Sequence, residues 1–138
     1  MNKCLVCNES VKRSTYKYCS NKCQGNFQYN EYISKWKLGL VNGSRGVVTK
    51  NISRHIQRYL AEKYGEKCLI CSWNKRNPVT QKVPLEIDHI NGNADDNREN
   101  NLRLICPNCH SLSLNFRNLN KGKGRSWRMV KSFKHNSP

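Results

Sequence analysis

The chain has 138 residues, 25 Lys/Arg against 9 Asp/Glu, a formal net charge of +16 and a mean hydropathy of -0.85. That length admits one compact domain or two very small ones, and an apolar fraction of 36% makes a core too thin to stand without a staple. No apolar run approaches a membrane span and none opens "MNKCLVCNES", so a soluble chain without a secretory signal is expected.

Eight cysteines supply the staple. Their spacing is Cys4-x2-Cys7, Cys19-x3-Cys23, Cys68-x2-Cys71 and Cys106-x2-Cys109. Four close pairs fit two four-thiolate zinc sites, 4/7 with 19/23 and 68/71 with 106/109. The alternative is a secreted disulfide scaffold, but a reducing cytosol favours metal. The charge is uneven. Residues 1–66 carry 12 Lys/Arg against 4 Asp/Glu, residues 67–118 carry 7 against 5, and residues 119–138 carry 6 against none. Basic segments flanking a nearly neutral centre suit a polyanion gripped on both sides of a cation site. Without an amphipathic membrane helix or a lipidation signal, nucleic acid is expected as the partner and no membrane.

In chain order, residues 1–38 read as a zinc knuckle plus a helix. "CLVC" and "KYCSNKC" bring four thiolates together, and Ser20 is placed to cap the helix. Phe27, Tyr29, Tyr32, Ile33 and Trp36 then recur at helical spacing, as packing against the knuckle rather than as stacking platforms for bases. Residues 39–51, with Gly39, Gly43 and Gly46, form the expected linker. A second helix is expected from about Ile52 to Tyr64. Ile52, Ile56, Tyr59, Leu60 and Tyr64 make its apolar stripe, Arg54, Arg58 and Lys63 lie away from it, and Gly65 closes it. His55 reads as a surface or phosphate contact.

Residues 52–118 then form the second unit. "CLICSW" opens a metal site, "VPLEIDHI" reads as a strand, "NGNADDN" as a loop and "NLRLI" as a short second strand. Pro107 stands at the first position of a helix, "PNCHSLSLNFR". The whole is a small zinc-stabilised α+β chain. Residues 119–138 are a basic tail without apolar period.

The stretch "LEIDHINGNADDNRENNLRLICPNCHSL" holds more metal-capable and hydrogen-bonding groups than a zinc knuckle needs. A histidine at a strand end can act as general base on a water. Asp88 and His89 point to opposite faces of a strand. Asp88 can therefore offer oxygen to a divalent ion while His89 faces the attacking water. His110, on the following helix, can give nitrogen to the same ion. Two protein ligands leave the sphere open for water and a phosphate oxygen, as phosphodiester cleavage requires. Asn101 can bond a backbone carbonyl and a backbone N–H, fixing the loop that carries His89. In the alternative, His110 replaces Cys109 on zinc and Asp88-His89 is a surface turn, giving a non-catalytic zinc DNA-binding protein.

Asp88-His89, Asn101 and His110, bracketed by Cys68/Cys71 and Cys106/Cys109, resemble the His-Asn-His (HNH) endonuclease family. The resemblance covers roughly residues 52–124 and points to small bacteriophage and homing-type members. It implies a ββα-metal core. His89 matches the general base, Asp88 and His110 the ligands of a catalytic Mg²⁺ or Mn²⁺, and Asn101 the middle asparagine that orients the base. Asn101 is taken over Asn97 and Asn100 because it directly precedes the second strand. Two structural zinc ions, on Cys4, Cys7, Cys19 and Cys23 and on Cys68, Cys71, Cys106 and Cys109, complete the metal content. The expected substrate is double-stranded DNA in the cytoplasm of a bacterial host. Arg54, Arg58, Lys121, Lys123, Arg125 and Arg128 are the candidate phosphate contacts. A dimeric HNH restriction enzyme reading a short palindrome is the alternative within the family; monomer and homodimer are both open.

Overall fold

A computed structural model describes residues 2–45 and 51–114 of the chain. Two compact units divide between Val41 and Asn42.

In the first unit, a tight turn places Cys4 and Cys7 together. The Cys4 N–H donates to Glu9 O at 2.8 Å and the Asn8 N–H to Cys4 O at 3.1 Å. Helix α1 (Asn21–Lys37) follows. Ser20 caps it as the sequence predicts, its hydroxyl accepting from the Cys23 N–H at 3.2 Å. One such cap is worth about 1 kcal/mol. Tyr29, Ile33 and Trp36, spaced four and three residues apart, are the buried stripe. Phe27 belongs elsewhere: it is largely exposed and its ring packs on Tyr18 at 5.5 Å between centroids.

The second unit opens on helix α2 (Arg54–Tyr64), two residues later than expected. Ser53 takes the cap position, accepting from the His55 N–H at 3.2 Å, and Ile52 instead forms a β-bridge with Ser44. Ile56 and Leu60 are fully buried, each contributing about 1.5–3 kcal/mol of apolar burial. Gly65 ends the helix at φ 83°, a left-handed conformation that side chains other than glycine's resist.

Strand β1 (Glu86–His89) pairs antiparallel with β2 (Leu102–Ile105), Asp88 opposite Arg103 and His89 opposite Leu102. The expected longer strand from Val83 is cut short, because the Leu85 N–H turns back to Val83 O. A short 3-10 turn, Glu99–Asn101, leads into β2. Helix α3 (Pro107–Ser111) is capped by the Cys106 sulfur, with Pro107 in its first turn. It stops at Ser111, well before the expected "LNFR", where the Ser113 N–H tightens onto His110 O three residues back. Helix α2 packs on β2 and α3 on β1. Between them lies a core of Cys68, Ile105 and Cys106, flanked by Trp73, Leu85 and Cys109. The Tyr59 hydroxyl and Lys63 Nζ both donate to Glu99 Oε1, at 2.6 and 2.8 Å. They tie α2 to the turn that feeds β2. Among the described residues, no helix is long and apolar enough to cross a membrane.

Candidate functional site

Two four-cysteine clusters form, one in each unit, with all four sulfurs of each within 4.8 Å of one another. Four sulfurs about 2.3 Å from one zinc ion stand roughly 3.8 Å apart. The separations Cys7–Cys19 of 3.4 Å, Cys19–Cys23 of 3.6 Å and Cys71–Cys106 of 3.7 Å fit that tetrahedron, so either cluster could hold zinc. Backbone N–H groups point at the sulfurs. Those of Cys71 and Cys109 approach Cys68 Sγ and Cys106 Sγ at 3.5 and 3.4 Å. The Cys7 N–H, helped by those of Val6 and Cys19, draws the Cys4 thiol down to about 6 against the effect of burial. Burial pushes the Cys68 thiol up, but the N–H groups of Cys71, Cys106 and Ile70 together outweigh it and bring it down to about 6. Burial and the surrounding thiols push Cys109 up to about 12. Each cluster thus offers one thiol ready to ionise near neutrality, where metal capture begins.

The second cluster also aims the residue after it. Cys109 is a cluster member, and His110 follows it on α3 toward β1. Asp88 and His110 come together: Asp88 Oδ1 lies 3.9 Å from His110 Nε2. Glu86, two residues before Asp88 on the same strand face, accepts a hydrogen bond from His110 Nδ1. A carboxylate oxygen can only accept from the ring, so the proton sits on Nδ1 and Nε2 is the nitrogen turned toward Asp88. A carboxylate behind a histidine, with the other ring nitrogen facing an oxygen donor, is the arrangement a histidine–metal pair uses. One hard oxygen and one imidazole nitrogen fit Mg²⁺ or Mn²⁺ as donors. Asp88 Oδ2 is engaged separately, accepting from Arg103 Nε at 2.8 Å.

His89 ends β1 and is half-buried. Its Nε2 lies 2.8 Å from Asn97 Oδ1, while Asn97 Nδ2 donates to Asn42 O at 3.0 Å. The Asn42 carbonyl can only accept, which fixes the amide nitrogen toward it and the amide oxygen toward His89. That oxygen also only accepts, so Nε2 carries the proton and Nδ1 keeps the lone pair.

Asn101 holds the loop that carries His89 through one backbone N–H and one backbone carbonyl. Its Oδ1 accepts from the Asn91 N–H at 3.0 Å, and its Nδ2 donates to Asp96 O at 2.8 Å and Asn91 Oδ1 at 3.0 Å. The side chain bonded to the His89 ring is Asn97, and Asn101 reaches His89 only through the backbone it braces, its own carbonyl accepting from the Ile90 N–H at 2.9 Å. Arg98 grips Asp96 with two hydrogen bonds of 2.8 Å and holds that carboxyl well below the usual range. Gly92, at φ 77°, makes the turn directly after His89, its N–H donating to His89 O.

Of the candidate DNA contacts, Arg54 and Arg58 lie exposed on α2, and Arg58 pairs with Glu62 at 2.8 Å. Lys121, Lys123, Arg125 and Arg128 lie outside the described residues. Glu86 and Arg103 escape the motif reading, and Asn97 is weighed there but set aside for Asn101. Period-two alternation from Asp88 points to Glu86. Arg103 needs the strand register, and Asn97 needs the loop's folded path.

Comparison with known proteins shows what this segment is similar to. Residues 68–115 match the HNH endonuclease family model. The chain is 34% identical over 86 residues to H-N-H endonuclease F-TflIV of Escherichia phage T5, covering 60% of this chain and 36% of that protein. It is 26% identical over 113 residues to Zorya protein ZorE of Escherichia coli, covering 76% of this chain and 31% of that one. The chain thus spans about a third of the length of these relatives. No solved structure matches it. The matched segment begins at Cys68, takes in β1, the asparagine loop, β2 and α3, and contains Asp88, His89, Asn101 and His110; over that segment the chain is similar to the HNH endonuclease family.

Proposed function

We propose that this protein is a metal-dependent DNA endonuclease of homing or phage type that hydrolyses phosphodiester bonds by the HNH mechanism. The observation that carries the reading is the meeting of Asp88 Oδ1 and His110 Nε2 at 3.9 Å beside a histidine whose Nδ1 is the basic nitrogen. Asp88 and His110 would hold the catalytic Mg²⁺ or Mn²⁺. When bound, such an ion stabilises charge on the phosphate and leaving oxygens. His89 Nδ1 takes a proton from the attacking water as the new O–P bond forms and the bond to the leaving oxygen breaks. Asn97 keeps His89 in the tautomer that can do this. Asn101 fixes the loop on which both depend. The two cysteine clusters hold structural zinc. The phage relative supports a bacterial host cytoplasm as the place of action.

Incubation of supercoiled plasmid with the full-length protein tests the reading. Nicked or linear product with Mg²⁺ or Mn²⁺, and none with EDTA, is expected. Intact plasmid across both metals and a range of salt would sink it. Asn97→Ala should retain DNA binding and lose on the order of 10- to 100-fold in cleavage rate, the scale of losing a partner that orients a functional histidine. Asn97→Gln, with the same amide on a longer stem, should recover part of it; equal rates for Asn97→Ala and the parent would remove Asn97 from the mechanism.

DNA grip is assigned to Arg54, Arg58 and the tail residues Lys121, Lys123, Arg125 and Arg128. Truncation after Asn118 should weaken binding to all sequences alike. Each lost phosphate contact should flatten the slope of log K against log salt by roughly 0.9. An unchanged slope would place the grip in residues 1–66, where the remaining excess charge lies.

A further inference from the structure

The Asp88–His110 pair has a competitor for its carboxylate. Asp88 is only 6% exposed, and a carboxylate so buried needs a compensating charge. Arg103 provides it from the facing position on β2, donating from Nε to Oδ2 at 2.8 Å. The other oxygen, Oδ1, is the one turned to His110. Among the described residues Arg103 and His110 are the only basic side chains paired with Asp88.

Arg103 and Asp88 also line one open cavity of about 350 Å³, together with Ile70, Ile90, Leu112, Leu114, Ser113 and Cys109. The cavity is open to solvent, its apolar side chains being themselves exposed, so a solvated polyanion can reach the ion pair from outside. A guanidinium has five donors, and its Nη groups suit a phosphate.

From this we infer that Arg103 couples cation loading to DNA loading, an inference that rests on the nuclease reading above. Without DNA, the guanidinium neutralises Asp88 and repels a divalent ion sharing that carboxylate. A phosphodiester entering the cavity draws the guanidinium to itself, releases Oδ2 and adds negative charge beside the site. The cation then binds more tightly. By linkage, the cation must raise DNA affinity by the same factor. The protein would thus assemble a complete site mainly on DNA. Arg103 acts here as a positioning residue for Asp88 and as a phosphate contact in the complex.

Mn²⁺ binding measures this without cleavage. Zinc-loaded full-length His89→Ala protein is titrated with Mn²⁺, with and without a duplex oligonucleotide, and free Mn²⁺ is read by electron paramagnetic resonance. Duplex should tighten Mn²⁺ binding by about tenfold, within the usual range of couplings. Adding Arg103→Met should tighten DNA-free Mn²⁺ binding by about tenfold and abolish most of the duplex effect. Arg103→Lys, which keeps the charge, should stay near the parent without DNA. If Arg103→Met loses zinc, Arg103→Gln carries the same expectations. Absence of a duplex effect in the parent overturns the inference with no substitution at Arg103 needed. So does a charge-removing variant that binds Mn²⁺ no more tightly than the parent. Plasmid cleavage by the unsubstituted protein separates the two readings. Cleavage with uncoupled Mn²⁺ binding removes only the role of Arg103, whereas no Mn²⁺ binding and no cleavage overturns both.

Discussion

His89→Ala is expected to bind duplex DNA as the parent does and to cleave it at least ~10²-fold more slowly, the scale of losing a general base. The ring sits at the end of β1, opposite Leu102, with Nε2 held by Asn97 at 2.8 Å. Its removal leaves both cysteine clusters and the Asp88–His110 pair intact, so folding and zinc content should not change. The contrast with the proposed ligands is diagnostic. His110→Ala should raise the Mg²⁺ concentration needed for cleavage rather than only lower the rate. Asp88→Ala should do the same and in addition leave Arg103 without its carboxylate, so some loss of stability accompanies it. Single-turnover rates on plasmid across a Mg²⁺ series separate the two patterns. Cleavage by His89→Ala at the parent's rate would end its assignment as base.

The second large effect concerns zinc. The purified protein is expected to carry two zinc ions per chain. Cys68→Ser or Cys106→Ser should lose one of them and unfold residues 52–114 as a unit. Cys68 and Cys106 are not peripheral ligands. Together with Ile105 they form a buried cluster of the core, with Trp73, Leu85 and Cys109 packed around them. The Leu69 N–H, inside the first Cys-x-x-Cys turn, also donates to Leu104 O at 3.0 Å, so the metal turn is pinned to β2. Cys106 further caps α3, the helix that carries His110. Four-thiolate zinc supplies on the order of 10 kcal/mol to such small folds, more than a core of this size can replace. Cys4→Ser should lose the other zinc and disorder only the first unit. Elemental analysis with circular dichroism reads both results. Clearly fewer than two zinc ions in the parent, or an unchanged melt for Cys106→Ser, would refute the structural role.

The cysteine sets, the strand–loop–strand–helix order, the Ser20 cap and Pro107 at the head of α3 were all determined by the sequence alone. Each depends on residues a few positions apart, where spacing and local stereochemistry leave little choice. Thiols two residues apart in a turn converge on one point whatever surrounds them, and a proline without an N–H suits the first turn of a helix. Local rules also failed in identifiable places. Ile52 matches the apolar period of α2, but Ser53 offers the better cap, and Ile52 pairs with Ser44 across the chain. The partners of the functional side chains were decided only by the tertiary structure. Asn97, Asn100 and Asn101 offer identical amides within five residues; adjacency to the second strand singles out Asn101, but position in the sequence does not say which amide meets the His89 ring. The loop's own bonds do so: Asn101 is consumed by Asn91 and Asp96, while the carbonyl of Asn42, 55 residues earlier, turns Asn97 toward His89. Likewise Arg103 meets Asp88 only because the β1–β2 register sets them opposite, and that register keeps Leu102 and Leu104, which share one face of β2, buried. A one-residue slip would turn Leu102 and Leu104 away from the core, so core burial, rather than any local signal, brings a cation onto the proposed metal ligand.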